Sequence, residues 1–395
     1  MPQVLLCLLA ITVEAGKVDR IDTPVGVALE GIDAAQALRL EEVTPAGRKV
    51  VPAQVEPGTP PRLWFILAGK TPAGTTRTFE LVQGPPAEGP KVEVKAGEGD
   101  LDILQGGRTV LQYHGALSQP PAGYGPEFRR SGFIAPVWTP AGRIVTDTHP
   151  PNHKHHMGVW MPWTKTEFEG RKPDFWNLVA KTGTVRFVRL GPVTSGPVFA
   201  SIEAHHEHVD LSAPGGEKVA LNEVWHVRVW NVGGPDKGYF LWDLTSTQRC
   251  ASDSPLKLPK YLYGGNGFRA AREWDNNVCL FLTSEGKTRK DGNETTARWC
   301  DVYGPVDGTH AGAVIMGHPE NFRFPEPVRI HPKEPFFCYA PSQGGDWAIE
   351  PGKDYVFRYR YCVHDGLMKA ETAERFWADF GQPPVVRVAN KARGR

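Results

Sequence analysis

One segment concentrates side chains that can do chemistry. DTHPPNHKHHMGVWMPW, Asp147 to Trp163, holds four histidines, three prolines and two tryptophans. A histidine with its ordinary pKa of about 6.5 gives or takes a proton near neutrality. In an extended chain His153 and His155 share one face and His156 takes the other. Such an HxH pair suits a shared metal ion. A third ligand would then have to come from Asp147, His149 or a distant strand such as the one ending at His318. The next acid, Glu167, lies twelve residues past His155, which fits the HxH-then-Glu pattern of jelly-roll metal sites badly. The leading reading is therefore a ligand or catalytic site without metal or cofactor. His153, His155 and His156 supply proton-transfer groups, Asp147 binds substrate, and Trp160 and Trp163 offer flat faces to a sugar ring.

Two further stretches add polar groups at the ends of apolar runs. KYLYGGNGFRAAREWDNN, Lys260 to Asn277, brings Tyr263, Asn266, Arg269 and Glu273 beside glycines that let the backbone approach a ligand. It lacks the Gly-Lys-Ser/Thr of a phosphate loop. IMGHPENFRFPEPVRIH, Ile315 to His331, sets His318, Asn321 and Arg323 among prolines. His318 is a further acid/base candidate and Asn321 a further ligand-binding one. Glu223 and Asp243 sit in strand-like runs among apolar neighbours, and a carboxylate on an apolar face is either partnered or functional. Together they are the best candidates for a general base, with Glu223 in the catalytic set. HHEH, His205 to His208, precedes a turn-rich loop and reads as a solvated hairpin.

The elements that must position these groups are mostly strands. Gly and Pro (43 and 36) punctuate the chain, and the runs between them alternate β-branched or aromatic residues with polar ones. Only GLMKAETAERFWADFG has helical spacing, with Leu367, Ala370, Ala373 and Phe376 on one face and Gly381 as its stop. So many strands without intervening helices exclude βαβ architecture. The expected fold is all-β: a small β-sandwich over residues 16–89, a Pro/Gly/Glu-rich linker, a large antiparallel β-sandwich over 90–385 carrying the cleft, and a basic tail over 386–395. Residues 1–15 resemble a signal peptide whose positive n-region is missing, so a periplasmic or secreted location is expected. No later run is apolar enough to span a membrane.

Charge is balanced, 45 Lys+Arg against 44 Asp+Glu, and no basic stripe points to nucleic acid. Six scattered cysteines without a CxxC pair give neither a disulfide framework nor a zinc ribbon. The expected partner is a carbohydrate or other small molecule.

FRRSGFIAPVWTPAGRIVTDTHPPNHKHHMGVWMPW, WDLTST, YGGNGFR, ARWCDVYGP, AGAVIMGHPENFRFPEPVRIH and YRYCVHDG resemble, in order, the DUF6807 family, over about Val92 to Asp379. Asn152, Lys154 and Met157 depart from that family's Asp-His-Pro-His-His-Arg-Gly pattern, and Gly317 stands where Asp is frequent, which puts in doubt any role needing a carboxylate at 152 or 317. The family often carries the label methane oxygenase PmoA. A multispanning membrane subunit is incompatible with this chain. The resemblance instead implies a galactose-mutarotase-like supersandwich that binds carbohydrate and works with His, Glu/Asp and Arg in a groove.

Three readings stand. The first is a carbohydrate-active enzyme that shuttles protons, as an epimerase or mutarotase or as a lyase. The second is a non-catalytic glycan-binding protein, and the third a His-ligated metal enzyme. Paired-carboxylate hydrolysis is disfavoured because no two acids are clearly matched.

Overall fold

The computed structural model describes residues 7–390. Two antiparallel sheets of eight strands form the large sandwich. The first runs, in spatial order, Val328–Ile330, Phe336–Tyr339, Gly267–Arg269, Val159–Trp160, Phe133–Val137, Arg108–His114, Asp100–Gln105 and Val92–Ala96. The second runs Gly183–Thr194, Phe199–Asp210, Lys218–Gly234, Tyr239–Cys250, Tyr355–Asp365, Thr309–Gly317, Trp299–Val306 and Leu280–Thr283. This is the expected all-β sandwich.

Alternation along each strand decides which residues meet. Ile134, Val159, Phe268 and Phe337 from the first sheet pack against Trp225, Val227, Trp242 and Tyr361 from the second. The odd-numbered partners in the first sheet, Phe133, Ala135 and the alternate residues Trp160 and Phe336, point the other way and form a separate aromatic cluster with Met157, Trp176 and Cys338. The outer face of the second sheet is covered too. Trp230, Val232, Tyr239 and Met316 there receive Ala373, Phe376 and Trp377 of the helix Ala370–Gly381. Leu367, expected on that helix's apolar face, precedes it and is 65% exposed.

A small sandwich packs beside this layer. Its five-stranded sheet is Val385–Asn390, Cys7–Glu14, Thr76–Gln83, Leu38–Thr44 and Gly47–Val51; its three-stranded sheet is Arg20–Ala28, Arg62–Thr71 and Ala53–Glu56. The run expected to be leader-like is thus, from Cys7, a strand. Leu9, Ile11 and Val13 enter the core while Ala10, Thr12 and Glu14 alternate outward. Val386 and Val388, inside the segment expected to be a basic tail, pair with Val13 and Ile11. Met1–Leu6 and the last five residues lie outside the described part. Arg20 ties this unit to the helix through Asp379 at 3.0 Å and the Ala378 carbonyl at 3.1 Å. Among the described residues no helix is long and apolar enough to cross a membrane.

Candidate active site

The outward aromatic face of the first sheet is the floor of the site. Trp160 and Trp176 lie 4.7 Å apart by ring centroid, with Phe336 5.8 Å from each. Gly267 leaves room for both indoles, whose planes cross at 45°: a Cβ there would stand 2.9 Å from Trp176 and 3.2 Å from Trp160. Tyr263 edges the floor, 5.5 Å from Trp176, and its hydroxyl donates to Asn177 at 3.2 Å.

The histidine segment folds over this floor, and not as the extended chain that alternation suggested. Pro150 and Pro151 open a pair of nested turns, with His153 N–H bonded to the Pro150 carbonyl and His156 N–H to the His153 carbonyl. His149 N–H then closes onto the His156 carbonyl at 2.9 Å. Gly158 returns the chain to the sheet at φ +52°, where a Cβ would fall 2.3 Å from the Ile134 carbonyl oxygen. The turns bring all three rings together. His153 and His155 each lie 4.7 Å from His156, and 5.9 Å from one another. His156 sits on Phe336 at 4.7 Å and Trp160 at 5.0 Å.

The wall beside them comes from the neighbouring strand and loop. Arg269 donates to Glu334 at 3.1 Å, Asn152 donates to the other Glu334 oxygen at 2.6 Å, and His153 stands 3.9 Å from Glu334. His331 adds a fourth ring, 5.5 Å from His153. Asp147 is held at the edge by Arg272, 2.7 Å away, while its backbone N–H donates to the Arg269 carbonyl. A groove of ≈ 750 Å³ lined by His114, Phe133, Ala135, Asp147, Thr148 and Arg272 continues from this face.

Electrostatics set the protonation state. Burial, then the neighbouring His153, Arg130 and Arg269, push His155 down to about 3. Burial, then His155 and Arg269, put His156 well below its ordinary value. Burial also lowers His153, and together with Arg329 takes His331 down to about 4. At neutral pH these rings are neutral hydrogen-bond partners rather than acids poised near 6.5. Among the described residues no three His, Cys, Asp or Glu side chains are grouped to hold a metal ion.

Of the sequence candidates, His153, His155, His156, Trp160, Tyr263, Arg269 and Asp147 share this site. The others lie elsewhere. Trp163 points into the inter-sheet core and donates its indole N–H to Gln248 at 2.7 Å. Glu223 is in that core as well, accepting from Trp225, Ser246, Gln248 and His208. Burial opposes its ionisation, but bonds and charge from His206 and His208 outweigh that and hold the carboxyl far below the usual range. Asp243 is no partner for it: Asp243 faces the opposite side of the second sheet, clamped by Arg360 at 2.7 and 2.9 Å. Asn266 accepts from Tyr361 between the sheets. Asn321 bridges Glu326 and the Arg358 backbone. His318 lines a different pocket, of ≈ 680 Å³, with Arg228, Trp230, Asp243 and Arg360.

The HHEH stretch is likewise not a solvated hairpin. His206 and His208 are buried on the inner face of Phe199–Asp210, and His206 stands directly across from Glu223. The signal was there in the alternation of His206 and His208 with outward His205 and Glu207. Trp176, His331 and Glu334 were missed because each lies in a loop, where spacing says nothing about direction.

A family model described as a family of unknown function, DUF6807, matches residues 100–378. The chain belongs to DUF6807. Among solved structures it is similar to a protein in the Glycosyl Hydrolase Family 38 from Enterococcus faecalis (12% identity, TM-score 0.46, 100% of this chain and 48% of that one). It is also similar to the heparan sulfate lyase HepC from Pedobacter heparinus (11% identity, TM-score 0.35, 73% and 38%). The DUF6807 chain thus spans less than half the length of either. No curated protein sequence matches it.

Proposed function

We propose that this DUF6807 protein is a carbohydrate-active enzyme that moves protons on a sugar held beside His153 and His155, above the buried Trp160–Trp176–Phe336 cluster. The observation that carries the reading is the convergence of three neutral imidazoles and one guanidinium over a buried aromatic cluster on one sheet face. His153 and His155 are both half-buried; His153 already faces Glu334 at 3.9 Å, and the base is assigned to His155. His156, packed between aromatic rings, positions it. Epimerisation and β-elimination both fit such a shuttle. Hydrolysis by paired carboxylates fits less well, because Glu334 and Asp147 are each tied to an arginine.

Proton NMR of oligosaccharides incubated with the protein tests this, since one spectrum follows anomeric exchange, loss of glycosidic protons and new vinyl protons. Turnover that His155→Gln abolishes and His318→Ala leaves unchanged supports the reading. Line-broadening without turnover moves the protein to glycan binding, and turnover that survives His155→Gln refutes the assigned base.

A further inference from the structure

Two residues singled out in the sequence, Asp243 and His318, meet in a cavity away from the histidine cluster. Strand register builds its floor. Asp243 stands opposite Arg228 on one neighbouring strand and Arg360 on the other, and Thr245 stands opposite Arg358. Residues directly opposite across strands, and residues two apart along one, share a face. These five therefore lie together on the outer face of the second sheet, which elsewhere carries Trp230, Val232 and Met316. His318 follows the strand Thr309–Gly317, and its N–H donates to the Arg358 carbonyl at 3.2 Å. The small sandwich covers this floor with a different chemistry. Pro24, Trp64, Pro383, Pro384 and Val386 line the same cavity of ≈ 680 Å³. Trp64 lies over the bare backbone of Gly26, where a Cβ would fall 2.7 Å from its ring, and 5.1 Å from Trp230. One wall is thus polar and the other apolar. Small-molecule sites favour clefts of this size at the junction of two units.

The polar wall has donors to spare, and they are open to solvent. Asp243 already accepts twice from Arg360, at 2.7 and 2.9 Å, and once from the Trp230 indole at 2.8 Å. Asp379 is held by Arg20 and Arg375, and Glu30, the other acid of the cavity, is exposed. His318 Nδ1 accepts the Glu320 N–H at 3.2 Å, which places the ring proton on Nε2. Burial lowers the pKa of this ring, so it is a neutral donor at pH 7. Arg358, with 36% of its side chain exposed, spends one nitrogen on the solvent-exposed Glu320 at 3.1 Å. Such a surface pair contributes little and is easily exchanged. Arg62, exposed at the opposite wall, lies 5.5 Å over the Trp64 ring and meets no carboxylate among the described residues.

We infer that this cavity is a second binding site, for a small amphipathic carboxylate whose charged end is received by Arg358, His318 and Arg62 and whose apolar body lies against Trp64 and the proline wall. A guanidinium receives a carboxylate through two parallel N–H bonds, a geometry that a hydroxyl cannot match. An apolar body removes the facing wall from water, which a bare inorganic anion would not do. The donors come from both units, Arg62 from the small sandwich and Arg358 and His318 from the large one. The ligand therefore binds only while the two are packed together.

The test is calorimetric titration of the whole protein with hexanoate and phenylacetate, each beside its own amide and beside acetate, with histidine ring-proton NMR to locate the site. Each of the two acids should bind at least about tenfold tighter than its amide or than acetate, and weaken as sodium chloride rises. Binding should shift the ring protons of His318, identified by their loss in His318→Gln, and leave those of His153, His155 and His156 in place. Arg62→Gln and Arg358→Gln alter solvent-reached side chains. Each should keep the wild-type melting temperature and lower the affinity of the acid towards that of the amide. Equal binding of acid and amide overturns the carboxylate, and acetate that binds as tightly as hexanoate overturns the apolar body. Displacement of hexanoate by a methyl hexoside overturns the ligand class. Shifts confined to His153–His156, or no binding of either acid below about 10 mM, overturn the site.

Discussion

Acidification from about pH 7 to about pH 5 is expected to cost the folded protein roughly 2 kcal/mol through His155 alone. The folded ring is pushed down to about 3, first by burial and then by His153, Arg130 and Arg269. In the unfolded chain it titrates near its ordinary value of about 6.5. Above that value both states are neutral and the group contributes no pH dependence. Below it the unfolded chain takes up a proton that the folded chain refuses, so stability falls with pH; the loss levels off below about pH 3. Its full extent approaches roughly 5 kcal/mol, an upper figure because the ring is half-buried and reached by solvent. Urea unfolding of the wild type and of His155→Gln, each at about pH 7 and about pH 5, isolates the contribution. The variant should lose about 2 kcal/mol less than the wild type over that interval. Equal losses, or a His155 ring proton that titrates near 6.5 in the folded protein, would show that burial does not hold this ring neutral.

Two buried carboxyls should respond in opposite ways to loss of charge. Glu326 is buried with Tyr359 donating at 2.8 Å and Asn321 at 2.8 Å, yet burial still raises it to about 7. Stability is therefore lost as pH rises from the unfolded value of about 4.5 to about 7, and Glu326→Gln should be more stable than wild type at about pH 8 by up to roughly 3 kcal/mol, read by urea midpoint. Glu223→Gln removes the charge that His206 and His208 surround. It should destabilise by roughly 3–5 kcal/mol, seen as a lower melting temperature at neutral pH; an unchanged melting temperature would show that the core does not depend on that ion.

The architecture was legible where one rule governs many residues. Strand alternation in FASIEAHHEHVDL or NEVWHVRVW is set by backbone geometry, so inner and outer residues could be assigned once the strand was accepted. The same rule, applied to His153–His156, misled: two prolines turn the chain, and turns bring neighbours in sequence onto one spot. The first strand was hidden because Leu9, Ile11 and Val13 suit a leader's apolar run as well as a sandwich core. Glu223 and Asp243 were visible as acids among apolar residues, but their opposite faces follow from the pairing Arg228↔Asp243 beside Trp225↔Ser246, which a single strand does not contain. His331, Glu334 and Trp176 reach the site through loops whose direction is fixed only by packing.

The most direct test of the account is a crystal structure with an oligosaccharide bound. The expected result is a sugar ring beside His153 and His155, with a ring carbon within reach of His155. A sugar seated instead in the ≈ 680 Å³ pocket of Arg228, Asp243, His318 and Arg360 would contradict it.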